Sequence, residues 1–428
     1  MKKIYYAAAL AAASAILAYL SFKLISAPLG PDERSHIHML NFLAHEFSIP
    51  PLDQWRFSIH RAHSYHLFSP LPYYVYIPFL WLGEWYGYSY SGTPENLFSF
   101  DFDGICLPRL GGLIFVVLQL LVTIRLLAIY LPGRWLILGA AGVINLMPEV
   151  RAIHGYVNAD SYTILTSTLL LLSVSRSHVK EHLDIWDTAI FALALALAMH
   201  GKDSALVVTA FLGAAFCLRL FSRIGFSINA RHHYLLIAVG LLLGGLNYLH
   251  SYTELANGQI LAGETHLELA SSTFTGNVKA ELPLAEQLRK EATEFSRFWP
   301  NLWGLVARRE KLPDWFMAIL ASYFALGLFA LWAAGKGNRP QGLVPLQLAS
   351  LAMPITYLVL ATHTKLGIIA GRLLLPSQIP LFMLSLIGYY AYLENKKLSH
   401  AYWLVPALTL MAITHAQLFY GILNFAKF

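Results

Sequence analysis

Charge is what this 428-residue chain has least of. Asp, Glu, Lys and Arg make up 13% of it against 57% hydrophobic residues, whereas a soluble domain carries about 25% charged residues. With a mean hydropathy of +0.54, that shortage excludes an ordinary soluble globular protein. Cysteine is nearly absent too. Cys106 and Cys217 give neither a disulfide framework nor the thiolate spacing of a zinc site. The topology derived below puts them near opposite membrane faces, out of reach of a mutual bridge. Internal repeats and low-complexity tracts are also lacking, which removes repeat arrays. The net charge of +6 marks, in such a chain, cytoplasmic loops and anionic-lipid contact, and not nucleic-acid binding.

What is present is a series of apolar runs near the length that crosses a bilayer, about 17–25 residues. They fall at roughly 4–26, 107–131, 134–150, 160–175, 185–200, 203–220, 233–250, 313–334, 343–362, 371–392 and 401–421. The first follows Lys2 and Lys3 in the manner of a signal peptide. Its apolar stretch exceeds the roughly 7–15 residues of one, however, so it reads as a retained span. Residues 67–82, LFSPLPYYVYIPFLWL, are apolar but short, and they contain Pro70, Pro72 and Pro78. They read as a juxtamembrane or re-entrant segment buried against protein.

Sidedness tests that choice. If 67–82 does not span, thirteen basic residues share the N-terminal side: Lys2, Lys3, Arg125, Arg134, Arg176, Lys180, Arg219, Arg223, Arg231, Lys336, Arg339, Lys396 and Lys397. The short connections opposite hold only four: Arg151, Lys202, Lys365 and Arg372. A span there would reverse the bias. Because basic residues gather on the cytoplasmic side, the expectation is an all-α polytopic membrane protein with a single membrane-embedded unit over 1–428. It has eleven spans, a cytoplasmic N-terminus and an outer C-terminus. Two larger outer loops remain, 27–106 and 251–312. In the second, Leu284, Leu288, Ala292, Phe295 and Trp299 recur at helical spacing. This predicts an amphipathic surface helix anchored by Trp299, Trp303 and Trp315, serving as a lid or acceptor platform, or as a loop brace.

With sidedness fixed, four polar segments become neighbours in depth on the outer side: PDERSHIH (31–38), PEVRAIHGYVNAD (148–160), HGKD (200–203) and THTKLGIIAGR (362–372). Ionisable groups at membrane depth are costly unless they have a task. The adjacent carboxylates of Asp32 and Glu33 can supply a general base for an attacking hydroxyl, hold a divalent metal, or cap a short helix starting at Pro31. Arg151, Lys202, Lys365 and Arg372 run against the positive-inside trend. They can grip a phosphate or snorkel to lipid headgroups. Arg372, in a Gly-Arg pair beside the tenth span, is the foremost of them. His36, His66, Tyr73, His154, Asn158 and Asp160 are the candidate substrate-binding groups, and Asp160 can alternatively cap the fourth span. No histidine spacing matches a zinc site. His36 lies one helical turn after Asp32, which permits a shared metal, so the metal and any other cofactor stay unknown. Arg109 opens the second span, with Asp101 and Asp103 as its sequence-near acidic partners.

The order of these features resembles the GT-C superfamily: one span, the acidic pair Asp32-Glu33, the His66-Leu-Phe-Ser-Pro-Leu-Pro-Tyr-Tyr motif, then Arg109 opening the next span. That superfamily includes protein O-mannosyltransferases, aminoarabinose transferases acting on lipid A, and mycobacterial arabinosyltransferases. Gly155-Tyr156-Val157-Asn158-Ala159-Asp160 and Gly371-Arg372-Leu-Leu-Leu-Pro376 look like segments of a large bacterial set of such proteins. The resemblance covers about 390 residues. It implies a core of about 11 transmembrane helices with juxtamembrane helices in the first outer loop and a periplasmic cavity, set in a bacterial inner membrane. It further implies a polyprenyl-phosphate-linked sugar donor, a glycan, lipid or protein acceptor, Asp32 as base with Glu33 supporting it, and basic residues on the donor phosphate. Some relatives use a divalent metal such as Mg or Mn and others do not. The chain lacks the large soluble domain of some O-mannosyltransferases and has Ser-Pro-Leu-Pro where they have Pro-Pro-Leu, so no acceptor carries over.

The geography agrees with such a donor: sugar nucleotides are cytoplasmic, and a transferase working outside needs a flipped lipid phosphate. The alternative is a transporter or flippase of lipid-linked glycans. Transporters show pseudo-symmetric halves and interrupted helices near the midplane, and the sequence displays neither. A non-catalytic scaffold would leave the polar segments incidental.

Overall fold

The computed structural model describes residues 33–47, 69–90, 102–225, 230–255, 314–335, 337, 339–363 and 374–425. Asp32, His66, Lys365, Arg372, the expected first span and the amphipathic segment of the second loop lie outside them. Among the described residues the chain forms 13 α-helices and three 3-10 turns, with no strand, so the all-α class is the one found.

The helices are α1 (Glu33–Glu46), α2 (Ile77–Trp85), α3 (Cys106–Leu127), α4 (Arg134–Asn145), α5 (Pro148–Ile153), α6 (Asp160–Val179), α7 (Ile185–Met199), α8 (Leu206–Ile224), α9 (Arg231–Leu255), α10 (Asp314–Ala333), α11 (Val344–His363), α12 (Leu375–Asn395) and α13 (Ala401–Phe425). Among the described residues, α3 and α8 are long and apolar enough to cross a membrane, and shorter apolar helices lie within α4, α7, α10, α11 and α13.

Two departures from the apolar runs have a local cause. The run 134–150 is broken into α4 and α5, because Pro148 has no N–H with which to continue the α4 ladder. Asn145 closes α4 by donating its side-chain amide to the Ala141 carbonyl at 2.9 Å. In the proline-bearing segment 67–82, the chain makes a 3-10 turn over Leu71–Tyr73 and then the nine-residue α2. At ~1.5 Å per residue, α2 covers about half of a ~30 Å hydrocarbon layer, too little to cross it.

α6 is the central helix, packed against α3, α7, α8, α11 and α12. Its hydroxyls bond back to carbonyls one turn earlier, as in Thr163 to Ala159 and Thr168 to Ile164. This is how hydroxyl side chains are tolerated in an apolar interior. α10 and α12 approach backbone to backbone: a Cβ on Gly388 would lie 2.0 Å from the Gly327 carbonyl oxygen. The main core surrounds α6. A second, smaller core joins α1 and α2 to one end of α3 and α6 through Ile37, Leu40, Tyr73, Tyr76, Leu80 and Phe115. That smaller core carries the candidate site.

Candidate active site

Glu33 opens α1 and is fully buried. Arg109, in the first turn of α3, donates Nε to Glu33 Oε1 at 2.8 Å and Nη2 to Oε2 at 2.5 Å. The Val157 N–H adds a 3.1 Å bond to Oε1. This two-point pairing matches the planar guanidinium to the carboxylate plane, and it satisfies charges that would be very costly to bury alone. It ties three distant pieces of chain together: the first turn of α1, the start of α3, and the loop before α6. Arg109 therefore has a partner in Glu33, 76 residues away, while Asp101 and the Asp103 side chain lie outside what is described.

The loop before α6 is pinned from within. Asn158 donates its side-chain nitrogen to the Ile153 and Tyr156 carbonyls at 2.6 and 2.7 Å, and its Oδ1 accepts the Ser161 N–H at 2.9 Å. Asn158 thus does the capping work at the start of α6, which the sequence left open to Asp160. Asp160 turns instead to Lys202, Oδ1 to Nζ 2.9 Å, with both residues buried. Thr163 Oγ1 accepts the Lys202 N–H at 2.9 Å, which fixes the ammonium-bearing residue from its backbone side as well.

Tyr73 and Tyr76 face this layer from the first loop. The Tyr73 hydroxyl shares a 2.6 Å hydrogen bond with His36 Nδ1, and the Tyr76 hydroxyl donates to the Asn158 carbonyl at 3.2 Å. Burial, reinforced by the nearby Asp160 carboxylate and then by Tyr76, holds the Tyr73 phenol well above its ordinary range. Burial also raises Tyr76. Both are neutral donors at any physiological pH. Ser69 Oγ lies 2.8 Å from His200 Nδ1, which joins the first loop to the HGKD segment.

Arg151 and His154 sit on and just after α5, both buried. Burial lowers Arg151 to about 10, which leaves it cationic. His154 is pushed down by burial to about 3 and neither ring nitrogen has a hydrogen-bond partner, so its imidazole is neutral. Its carbonyl rests against α3 at Gly112, where a Cβ would come within 2.1 Å of it.

Of the residues singled out in the sequence, Glu33, His36, Tyr73, Asn158, Asp160 and Lys202 thus form one bonded layer at one end of the bundle. Arg151 and His154 belong to the short helix and loop that enter it. The layer also contains Arg109 as the clamp, along with Tyr76 and Ser69, which sequence reasoning had not assigned to it; Ser69 joins His200 of the HGKD segment. Among the described residues no group of three or more His, Cys, Asp or Glu is arranged to hold a metal ion. Glu33 already accepts three hydrogen bonds through its two oxygens.

No protein-family model matches the sequence, and no curated protein matches it significantly. Among solved structures, the fold is shared with the archaeal oligosaccharyltransferase AglB from Archaeoglobus fulgidus, in complex with an inhibitory peptide and a dolichol-phosphate. The TM-score is 0.55 at 16% identity, over 98% of this chain and 56% of that one. An Archaeoglobus fulgidus oligosaccharyltransferase in complex with Zn and sulfate aligns with a TM-score of 0.53 at 14% identity, over 95% of this chain and 52% of that one. The chain spans about half the length of these solved structures. The overall fold is thus one that an oligosaccharyltransferase also has. At these identities the likeness is one of fold.

Proposed function

We propose that the chain is a polytopic membrane glycosyltransferase of GT-C type, which moves a monosaccharide from a polyprenyl-phosphate carrier to an acceptor hydroxyl on the non-cytoplasmic face. The observation that carries this reading is the bonded layer of Glu33, Arg109, Asn158, Asp160 and Lys202, on a fold shared with an oligosaccharyltransferase whose complex holds a dolichol-phosphate.

In this reading Asp32 takes the proton from the acceptor hydroxyl as that oxygen bonds to the anomeric carbon. The bond from that carbon to the phosphate oxygen breaks, and the polyprenyl phosphate leaves with the electron pair. Arg372, Lys365 and Arg151 offset the charge that develops on the phosphate. Lys202, neutralised by Asp160, acts less as a free cation than as half of a fixed dipole beside the sugar. Glu33 is a positioning residue: its clamp with Arg109 sets the direction in which the chain enters α1, directly after Asp32. His36 and Tyr73 present hydrogen-bonding groups to the substrate, and His66, His154, Asn158 and Asp160 complete the proposed wall.

The test is transfer from a polyprenyl-phosphate sugar by membrane-inserted variants. Asp32→Ala and Arg372→Ala each abolish transfer while insertion is unchanged. Full activity in Asp32→Asn would move the base elsewhere.

A further inference from the structure

Gln378 lies in the first turn of α12 and is fully buried, yet neither its amide nitrogen nor its amide oxygen has a hydrogen-bond partner. A buried amide with both ends unsatisfied is uncommon in native proteins, and each case calls for a cause such as a bound ligand. A leucine or methionine would fill the same volume without that penalty. Two residues further on, Pro380 stands inside the helix. It has no N–H to give the Pro376 carbonyl, which adds to the unmet hydrogen-bonding capacity on this turn.

The position is specific. α12 meets the 3-10 turn Asp203–Ala205, which follows Lys202, and Lys202 is bonded to Asp160. α12 thus reaches the end of the bundle that carries the bonded layer, and Gln378 stands on the first turn of that helix. It also stands six residues after Arg372, the proposed phosphate ligand. The chemistry narrows the ligand. A phosphate would use only the amide N–H groups and a cation only the carbonyl. A hydroxyl group, donor and acceptor at once, uses both ends, and a sugar next to a phosphate offers several.

We infer that Gln378 reads a hydroxyl of the sugar on the donor lipid and so sets which sugar the protein accepts. This rests on the glycosyltransferase reading above and gives its site a specificity-determining residue. Hydroxyl recognition of this kind discriminates strongly, because a sugar lacking the hydroxyl leaves the amide unpaired.

The experiment uses the full chain in nanodiscs and compares binding of bare polyprenyl phosphate with polyprenyl phosphate carrying mannose, glucose, galactose or arabinose, read by native mass spectrometry. Wild type binds at least one glycosylated lipid about tenfold more tightly than the bare lipid, the ratio that about 1.4 kcal/mol supplies. Gln378→Leu and Gln378→Met bind the bare lipid as wild type does, lose that preference, and melt no lower than wild type. The inference is overturned if both variants keep the sugar preference, or if wild type binds the bare and glycosylated lipids equally. Wild type binding no lipid of either kind would sink the donor assignment beneath it, a result separable from the other two.

Discussion

Arg109 and Glu33 form a buried pair whose removal is expected to be felt first as lost stability. Truncating either side strands the other's charge in the interior, which typically costs about 3–5 kcal/mol. Glu33→Ala and Arg109→Ala should each lower the melting temperature in detergent markedly. Arg109→Lys should not restore it, because a point charge cannot reproduce the two parallel bonds. A variant at wild-type stability would remove the clamp from the account. His154 gives a pH signature. The unfolded chain takes up its proton near the ordinary histidine range, while the folded chain does so only near about 3. The unfolded state then binds more protons between those values, so stability falls as pH drops through that window. His154→Leu should flatten the acid limb of a stability-versus-pH curve; an unchanged limb would contradict the burial assigned to the ring. At this scale the sequence was only partly legible. It flagged Glu33, Asp160 and Lys202 as out of place, but a pairing across 76 residues leaves no trace in local spacing, and Asp101 and Asp103 were the nearer candidates for Arg109. Gln378, an uncharged residue in an apolar run, gave no signal at all.

Among the described residues the helices follow the apolar runs closely, because a long apolar run is a strong signal. Boundaries moved where a side chain or a proline decided them. Asn158 caps α6 although Asp160 stands at its first residue, since only Asn158 lies far enough ahead to accept the Ser161 N–H. Asn158→Ala removes that cap, worth about 0.5–2 kcal/mol, together with two bonds to the Ile153 and Tyr156 carbonyls. Loosening of the 153–158 turn should appear as faster amide hydrogen exchange there, ahead of the rest of α6. Equal exchange would place the cap elsewhere. Gly388→Leu tests the α10–α12 seam, where no side chain fits against the Gly327 carbonyl. The variant should melt well below wild type or fail to accumulate.

For the whole molecule, composition and the order of the runs anticipated the all-helical fold found among the described residues. The runs recur along the chain, several of them short, and the sign of the loop charges adds a constraint that soluble sequences lack. The same reasoning makes topology testable. His182→Cys, between α6 and α7, is expected to react with a membrane-impermeant thiol reagent only from the cytoplasmic side, and labelling from outside would invert the arrangement. What the sequence could not supply is how Glu33, the 153–160 loop and Lys202 come together, since that depends on packing around α6. The most direct measurement is release of polyprenyl phosphate when the purified chain meets labelled polyprenyl-phosphate sugars and a membrane extract as acceptor. The expected result is release coupled one-to-one to label appearing on the acceptor, absent in Asp32→Ala. Turnover of no donor in the panel, or release equally fast in Asp32→Ala, would contradict the assignment.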